Sequence, residues 1–458
     1  MARYDAIIIG TGQAGPFLAR RLAATGLHVA VIERGLIGGT CTNTGCTPTK
    51  TLVASAYAAH LARRASDYGV VIDGAVGVDM RRVKARKDAI VEAKRKRGET
   101  SLRTAENCDL ILGHARFVSP HAVRVGEAVL EAERLFINVG GRPVVPPIPG
   151  LAASGYLTNH SILDLEELPR RLVIFGGSYI GLEFAQVFRR FGSEVLVIEG
   201  GPQLVPREDP EIAAAIHGIL RDEGIEILLD AKILRMEQRG DHAIAAEIAR
   251  GASTMTVEGS HLLVATGRRP NTDDLDLPAA GVQTDAKGFI QVDDHLRTSV
   301  PGIWALGDCN GRGAFTHTSY NDFGIVADNL LDGGTRSVAD RIPAYALYID
   351  PPLGRVGVTE TEARRRGRPL LVGRLPMTQV ARAIEKGETQ GLMKIVVDRE
   401  TQRVLGAAIL GTGGDEVIHV IMTAMYANAP FTLLQREMGI HPTVSELIPT
   451  LLEQLEAV

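Results

Sequence analysis

Cysteines and aromatic residues are scarce in this sequence. The chain has 4 Cys and 1 Trp in 458 residues, and aromatic side chains make up 5% of it. So few cysteines argue against a disulfide-stabilised secreted scaffold and suit a reducing cytoplasm, so we expect a cytoplasmic protein in which any disulfide is catalytic. No apolar run reaches the roughly 18 residues that a membrane-spanning helix needs, and no secretory leader precedes the first predicted strand, so we expect no membrane association.

An excess of charge of one sign is also missing. The 50 Lys and Arg residues nearly balance the 54 Asp and Glu residues, giving a net charge of -4, and nothing global indicates a nucleic-acid partner. One segment departs from this balance, because residues 81–97 carry nine basic residues against Asp88 and Glu92. The segment predicts a strongly basic helix. It is interpreted either as a solvated surface helix, which we favour, or as a site for an anionic partner.

Two segments carry the same strand–loop–helix–strand pattern at a constant spacing of 166 residues. The first has Gly10, Gly12 and Gly15 in its loop and ends in Glu33; the second has Gly176, Ser178 and Gly181 and ends in Glu199. Such glycines let the backbone approach a pyrophosphate at a helix N-terminus, and the acid can bind ribose hydroxyls. The repetition predicts two dinucleotide sites. Ser178 replaces the middle glycine, so we expect its Cβ to alter the affinity or pose of the second nucleotide.

Two of the four cysteines, Cys41 and Cys46, lie just after the first nucleotide motif. On an ideal α-helix, residues five apart lie roughly 8.7 Å from each other at Cα, whereas a disulfide needs about 4.4–6.8 Å. Gly45 and Pro48 supply the necessary irregularity, and Pro48 suits a first helical turn, so Cys46 should lie at a helix N-terminus that stabilises its thiolate. A redox-active dithiol is therefore predicted. Two reduced structural cysteines and, less favoured, a zinc site remain as alternatives.

The remaining sequence indicates further domains. Segments 136–143 and 262–270 bracket the second nucleotide motif as the ends of an insertion would, and residues 144–150 read as a Pro-rich linker. Beyond about residue 339, short strands and helices follow without a phosphate loop. We therefore expect an α/β protein with two Rossmann-like dinucleotide-binding domains and a C-terminal α+β domain.

Together, the two Rossmann motifs, the pattern C-x4-C-x-P-x-K, the Gly307-Asp308 pair and the C-terminal H-P-T-x-x-E resemble the class I pyridine nucleotide-disulfide oxidoreductases, or flavoprotein disulfide reductases. This family includes lipoamide dehydrogenases, glutathione reductases and mercuric reductases. The resemblance covers essentially the whole chain. Segments 48–52, 144–150 and 351–357 look most like its reactive-chlorine-resistance branch, whose members resemble hypothiocyanous acid reductases.

The resemblance implies a domain order and cofactor sites. FAD would bind a domain formed by residues 1–143 and 268–338, NAD(P)H would bind residues 144–267, and residues 339–458 would form the dimerisation domain. The FAD-binding residues would be Gly10, Gly12, Gly15, Glu33, Thr40, Lys50 and Asp308. The NAD(P)H-binding residues would be Gly176, Ser178, Tyr179, Gly181, Glu199 and Gly267, with Tyr179 as a gate over the nicotinamide pocket.

The resemblance also implies catalytic roles for Cys41, Cys46, Lys50, Glu183, His441 and Glu446. Cys46 would face the flavin, and Cys41 would attack a small oxidised acceptor. Lys50 and Glu183 would pair beside the flavin. His441 and Glu446 would form an acid–base dyad that reaches Cys41 of the other subunit, which implies a homodimer. Residues 443–446 also match a helix capping box. No metal site is expected.

Glu199 favours NADH over NADPH, because a carboxylate binds a free 2′-hydroxyl and repels a 2′-phosphate. Arg207 is the nearest cation that follows it. The expected reaction passes electrons from NADH through FAD to the Cys41–Cys46 disulfide and on to a disulfide or a hypothiocyanous-acid-like oxidant. The alternatives are a mercuric-reductase-like enzyme, although the sequence lacks an adjacent C-terminal Cys pair, and a lipoamide dehydrogenase. A flavin-dependent NADH oxidase with incidental cysteines and a binding role for the basic helix are further hypotheses.

Overall fold

The structure is a computed structural model that describes residues 2–240 and 243–458, so Met1, Asp241 and His242 lie outside the description. The chain divides into two compact units. The first consists of Met1–Thr51, Arg82–Val145 and Gly267–Arg341, and the second of Leu52–Arg81, Pro146–Thr266 and Ile342–Val458. The domain limits expected at residues 143, 267 and 338 stay predictions.

The first unit is built on a seven-stranded sheet. Its elements are β1 (Ala2–Ile9), α1 (Gly15–Ala23), β2 (Val29–Glu33), α2 (Gly39–Asn43), α3 (Cys46–Arg63), α4 (Met80–Arg103), β3 (Cys108–Leu112), β4 (Ala115–Ser119), β5 (Ala122–Val125), β6 (Ala128–Ile137), β7 (Gly141–Pro143), β15 (Arg268–Pro270), α7 (Leu277–Ala280), β16 (Ile303–Ala305) and α8 (Thr316–Leu331). The strand order is β3-β2-β1-β6-β5-β4, and β16 also pairs with β6. Helices α3 and α4 continue into residues of the second unit.

Strand β1 shows why this sheet is parallel at its centre. It pairs in parallel with both β2 and β6. Ile7 and Ile9 pack into one hydrophobic core, and Ala6 and Ile8 pack into another on the opposite face. A strand covered on both faces needs apolar residues at every position, and the run Ala6–Ile9 provides them. Gly10 then turns the chain at the carboxyl end of the strand, where ligands bind in this class of sheet.

The described residues of the second unit form three sheets. Its elements are β8 (Arg171–Phe175), α5 (Tyr179–Phe191), β9 (Glu194–Ile198), α6 (Pro210–Asp222), β10 (Glu226–Leu228), β11 (Ala231–Gln238), β12 (Ile244–Arg250), β13 (Ser253–Gly259), β14 (His261–Val264), β17 (Ala344–Leu347), β18 (Leu353–Gly357), α9 (Glu360–Arg365), β19 (Leu370–Pro376), α10 (Ala381–Glu385), β20 (Leu392–Asp398), β21 (Val404–Leu410), α11 (Gly414–Tyr426), α12 (Thr432–Gln435), α13 (Ile448–Glu453) and β22 (Glu456–Ala457). The sheet β10-β9-β8-β14 is parallel, whereas β11-β12-β13 and β17-β18-β21-β20-β19-β22 are antiparallel. The predicted fold class is confirmed.

The two segments that bracket the second nucleotide motif pair with each other. Strand β7 is antiparallel to β15, with Gly141 opposite Pro270. The predicted linker, residues 144–150, forms no helix or strand. Gly150 has a φ of +78°, and a Cβ there would lie 1.9 Å from the Met236 carbonyl oxygen, so only glycine allows this close contact with β11.

The second unit also buries a cluster of charges that the sequence analysis did not identify. Lys394 in β20 is 1% exposed, and its Nζ lies 2.9 Å from Asp209 Oδ2 and 2.8 Å from Glu360 Oε2. Arg355 in β18 is equally buried, and its Nε lies 3.3 Å from Glu208 Oε2. The sequence marks this cluster by a single cation inside each of two mainly apolar strands, β18 and β20, since a buried charge needs a partner.

Candidate active site

The two cysteines lie on two short helical segments rather than on one helix. Cys41 belongs to α2, and Cys46 is the first residue of α3, with Thr44 and Gly45 between the two helices. A Cβ on Gly45 would lie 2.9 Å from the Thr40 carbonyl oxygen, so the interruption requires glycine. Pro48 lies in the first turn of α3. The prediction that Cys46 starts a helix is confirmed.

The surroundings of Cys46 favour its thiolate. The hydrogen bond from the Cys41 thiol is the largest influence; burial opposes it, while Thr316 and the charge of Lys50 assist, and together they lower the pKa of Cys46 to about 6. Thr316 Oγ1 lies 3.1 Å from Cys46 Sγ. The hydrogen bond to Cys46 and burial raise the pKa of Cys41. The pair therefore holds one proton, on Cys41, with the negative charge on Cys46 at a helix N-terminus.

The first glycine loop has the shape of a phosphate cradle. Gly10 has a φ of +104°, and a Cβ on Gly15 would lie 2.3 Å from the Gly10 carbonyl oxygen, so both glycines are needed to close the loop. Gly12 differs, because the nearest atom to a Cβ there would be Asn138 Nδ2 at 3.2 Å. The protein itself therefore has room for a small side chain at Gly12 after a slight shift of the Asn138 amide. A bare loop surface at a helix N-terminus fits the approach of a pyrophosphate.

Glu33 fixes this loop from the end of β2. Its Oε2 accepts hydrogen bonds from the Thr11 backbone N–H at 2.9 Å and from Thr11 Oγ1 at 2.6 Å, and its Oε1 accepts the Gly35 N–H at 2.8 Å. A Cβ on Gly39, which begins α2, would lie 2.8 Å from the Gly12 Cα. Thr40 follows Gly39 directly, so the phosphate loop and the helix that carries Cys41 are in contact within the first unit.

Asp308 lies on a short 3-10 turn in the first unit, just after β16. Burial raises its pKa, which the charge of Arg268 opposes, with Arg268 Nε 3.5 Å from Asp308 Oδ2. The preceding Gly307 donates its N–H to Asp322 Oδ2 at 2.7 Å, and Asp322 is itself ion-paired with Arg341. The predicted acid thus follows a strand of the seven-stranded sheet, on a backbone that a buried carboxylate holds in place.

The second loop repeats the construction of the first. Gly176 has a φ of +117°, and a Cβ on Gly181 would lie 2.0 Å from the Gly176 carbonyl oxygen. Glu199 accepts the N–H of Gly177 at 2.7 Å and the N–H of Gly201 at 2.8 Å. Ser178 is the N-cap residue of α5 and makes no side-chain capping hydrogen bond.

Tyr179, the first residue of α5, lies against Tyr345 in an edge-to-face arrangement with ring centroids 5.4 Å apart. Glu208 Oε1 accepts the Tyr345 hydroxyl at 2.8 Å and the Tyr179 hydroxyl at 3.3 Å. Burial is the main cause of a raised pKa at both tyrosines. The pKa of Tyr345 is raised to about 12. Both phenols are therefore uncharged donors, and Glu208 holds the Tyr179 ring in one orientation. Nothing in the local sequence marks Glu208 for this role.

His441 and Glu446 form the contact that a proton-transfer dyad needs. His441 Nδ1 lies 3.1 Å from both carboxylate oxygens of Glu446, which leaves Nε2 available for proton exchange. The His441 side chain is 73% exposed. The Glu446 backbone N–H also donates to Thr443 Oγ1 at 3.3 Å, so a capping contact and the dyad occur together.

The remaining predicted site residues fall in different units. Lys50 and Gly267 belong to the first unit and Glu183 to the second. Glu183 is 5% exposed and accepts the Tyr348 N–H at 3.0 Å. The predicted Lys50–Glu183 pair stays a prediction. Thr316 was missed because it lies 270 residues from Cys46 and nothing in its local sequence marks it.

Comparison with known proteins identifies the class to which this fold and site belong. Residues 4–322 match the family described as pyridine nucleotide-disulphide oxidoreductase, and residues 343–452 match its dimerisation domain. The chain belongs to this family and is a pyridine nucleotide-disulfide oxidoreductase enzyme. The family implies FAD and NAD(P)H, and the glycine cradles described above fit both nucleotides. No described helix is long and apolar enough to cross a membrane.

The chain is similar over most of its length to relatives of three kinds. The probable pyridine nucleotide-disulfide oxidoreductase RclA of Escherichia coli (strain K12) is 39% identical over 455 residues, covering 97% of this chain and 98% of its own length. The solved structure of the HOCl-induced flavoprotein disulfide reductase RclA from Escherichia coli has a TM-score of 0.89 at 38% identity and covers 98% of this chain and 99% of that one. A mercuric reductase of Lysinibacillus sphaericus is 36% identical over 92% of this chain and 77% of its own length. A dihydrolipoyl dehydrogenase of Thermus scotoductus is 34% identical over 97% of this chain and 96% of its own length.

Proposed function

We propose that this protein reduces a small, thiol-reactive oxidised acceptor, a disulfide or a hypothiocyanous-acid-like oxidant, with electrons from NADH. The observation that carries the proposal is the polarised Cys41–Cys46 pair, in which Cys46 has its pKa lowered to about 6. Bound FAD would supply the chemistry of accepting a hydride from NADH and returning an electron pair to the cysteine disulfide. Gly10, Gly12 and Gly15 would hold it.

The residues of the chain then perform the thiol chemistry. The Cys41 thiolate attacks one sulfur of a disulfide acceptor, the acceptor's S–S bond breaks, and the first thiolate leaves. The Cys46 thiolate next attacks the Cys41 sulfur, which releases the second thiolate and re-forms the Cys41–Cys46 bond. His441 removes the proton from Cys41 and returns one to the leaving thiolate, with Glu446 orienting its ring. One NADH and one proton are consumed for each disulfide reduced to two thiols.

A homodimer completes this proposal, because we assign His441 to the Cys41 of the partner. Support comes from apolar side chains that are exposed in residues 426–440, the segment that leads to the dyad. Met438 and Ile440 are 92% and 78% exposed, and Leu433 and Tyr426 are also exposed. Apolar side chains exposed together mark a protein contact, and residues 343–452 match a dimerisation domain. A second copy of this chain is the occupant we propose.

Reduction of a metal ion is the second candidate function. The 36% identity to a mercuric reductase favours it, as does a solved Cu(II) complex of RclA from Escherichia coli. The test is steady-state NADH oxidation with hypothiocyanous acid, lipoamide, glutathione disulfide, Hg(II) and Cu(II) as acceptors. The proposal expects the highest kcat/KM with hypothiocyanous acid or a disulfide, and a highest value with Hg(II) or Cu(II) would replace it with the second candidate.

A further inference from the structure

The basic helix α4 contacts the segment that carries the cysteines. Lys94 Nζ donates a hydrogen bond to Thr47 Oγ1 at 2.9 Å, and the Arg86 guanidinium donates to the Thr51 carbonyl at 3.1 Å. Both acceptors lie in the first turns of α3, which begins at Cys46. Lys94 is therefore exposed to solvent, as expected for a surface helix, and also in contact with the segment that carries Cys46.

The charge of Lys94 is not neutralised by a neighbouring acid. Asp88 is already engaged by Lys84 at 2.9 Å and by Lys87, and Glu99 is engaged by Arg103 at 2.8 Å. Within residues 2–240 and 243–458, no carboxylate lies within the 4.0 Å ion-pair distance of Lys94. The side chain is exposed and hydrogen-bonded to a neutral hydroxyl, so it presents a full positive charge beside the dithiol.

That charge acts on the cysteine that we assign to the acceptor. The pKa of Cys41 is raised first by its hydrogen bond to Cys46 and then by burial, whereas the hydroxyl of Thr316 and the charge of Lys94 lower it. A cation that favours negative charge at the Cys41 sulfur also favours negative charge on whatever approaches that sulfur, because Coulomb attraction does not distinguish the two.

We infer that Lys94 is a specificity-determining residue that makes the Cys41–Cys46 dithiol prefer acceptors carrying negative charge. The inference rests on the proposed function and deepens it by naming the charge class of the acceptor. A disulfide with carboxylates near its sulfurs is attracted as it approaches Cys41. The thiolate that leaves when the acceptor S–S bond breaks is stabilised by the same ammonium group before it takes up a proton.

Alkylation of the reduced protein isolates this effect from turnover. The holoenzyme is reduced with dithiothreitol, freed of excess reductant and treated with iodoacetate, an anion, or iodoacetamide, its neutral analogue. Each reagent forms a thioether with a cysteine sulfur and releases iodide, and peptide mapping measures the rate at Cys41 separately from the rate at Cys46. The ratio of the two rates cancels the intrinsic reactivity of the thiol. We expect Lys94→Met to lower the iodoacetate-to-iodoacetamide ratio about threefold at low ionic strength, and Lys94→Glu to lower it further. Lys94→Arg keeps the charge and should keep the ratio.

Lys96→Met is the matched control, because Lys96 is exposed on the same helix and lies about 200° around its axis from Lys94. A ratio unchanged in Lys94→Met, an equal fall in Lys96→Met, or the absence of alkylation at Cys41 on peptide mapping would each overturn the inference. Added salt should erase the difference between wild type and Lys94→Met, since a partly exposed charge is screened.

Turnover with two aromatic disulfides then connects the effect to the acceptor. Lys94→Met should lower kcat/KM more for the dianion 5,5′-dithiobis(2-nitrobenzoate) than for uncharged 4,4′-dithiodipyridine, because only the dianion loses a direct attraction; an equal loss for both contradicts the inference. If NADH fails to reduce the disulfide in the wild type, the proposed function fails, while the alkylation ratio still decides the role of Lys94.

Discussion

The carboxylate of Glu199 accepts the backbone N–H of Gly177 at 2.7 Å. At the positions 166 residues earlier, Glu33 accepts the N–H of Thr11 at 2.9 Å. In both cases the other carboxylate oxygen accepts the backbone N–H of the residue two positions after the glutamate, which is Gly35 or Gly201. The acid at the end of the second strand therefore fixes its glycine loop within the protein, before any ribose is bound. We propose that the remaining lone pairs of this carboxylate accept the ribose hydroxyls.

Coenzyme preference tests this view of Glu199. The wild-type enzyme should show a higher kcat/KM for NADH than for NADPH. Glu199→Gln should lower the NADH-to-NADPH ratio about tenfold, because the amide no longer repels a 2′-phosphate but still accepts hydrogen bonds. Glu33→Gln is the matched control, since it should weaken retention of FAD and leave the ratio unchanged. A wild-type preference for NADPH would show that Glu199 does not select the coenzyme.

The pH dependence of the reduced dithiol tests the polarity of the pair. Cys46 has its pKa lowered to about 6 from its ordinary value of 9.0. Its thiolate, and the long-wavelength absorbance of that thiolate against flavin, should be present above pH 6 and disappear as the pH falls through about 6. Thr316→Val should move the midpoint upwards, because the hydroxyl that stabilises the thiolate is lost. A wild-type midpoint near 9 would contradict the assignment of the charge to Cys46.

His441 and Glu446 should contribute to catalysis by different amounts. His441→Gln should lower kcat about 10²- to 10⁴-fold with a disulfide acceptor, because proton transfer at Cys41 loses its base. Glu446→Gln should lower kcat less, about tenfold, because the ring stays in place but its positive form is less stable. His419→Gln changes an exposed histidine on α11 and serves as the control. Equal rates in His441→Gln and His419→Gln would remove the dyad from the mechanism.

The buried charge cluster should dominate the electrostatic stability of the second unit. Burial alone would raise the pKa of Asp209, but the Thr361 N–H and the Lys394 ammonium lower it to about 2. Asp209→Asn should lower the free energy of unfolding in urea by about 3 kcal/mol, because buried Lys394 loses one of its carboxylates. Glu362→Gln, which breaks an exposed ion pair with Arg366, should change it by under about 0.5 kcal/mol.

The sign of the pH effect follows from the depressed pKa. The contribution of Asp209 is complete above its unfolded pKa of about 4 and is lost as the pH falls towards its folded pKa of about 2. The difference in unfolding free energy between wild type and Asp209→Asn should therefore shrink over that interval. A difference that stays constant from pH 7 to pH 2 would show that Asp209 acts through packing rather than charge.

The sequence was sufficient for the fold class and for the local geometry of the dithiol. Glycine and proline carry that information directly, since Gly45 interrupts the helix and Pro48 starts the next one. The two nucleotide loops could also be predicted from glycine. Each loop requires glycine at fixed positions, so the same pattern recurs at a constant spacing of 166 residues.

Contacts across long sequence distances could not be predicted in the same way. Thr316 reaches Cys46 from 270 residues away, and Glu208 holds Tyr345 from 137 residues away. Threonine and glutamate have no pattern that specifies such partners. Lys94 could be predicted only in part. The charge of its segment is evident from the sequence, but the packing of α4 decides which of the nine basic residues reaches Thr47.

In the proposed reaction, electrons leave the enzyme through Cys46 and Cys41. Stopped-flow and steady-state measurements on Cys46→Ser examine this route, with NADH as donor and the best acceptor of the panel. We expect NADH still to bleach the flavin of this variant while turnover with the acceptor falls at least about 100-fold, because the disulfide cannot form. Full turnover in Cys46→Ser with that acceptor would show that the electrons take another route.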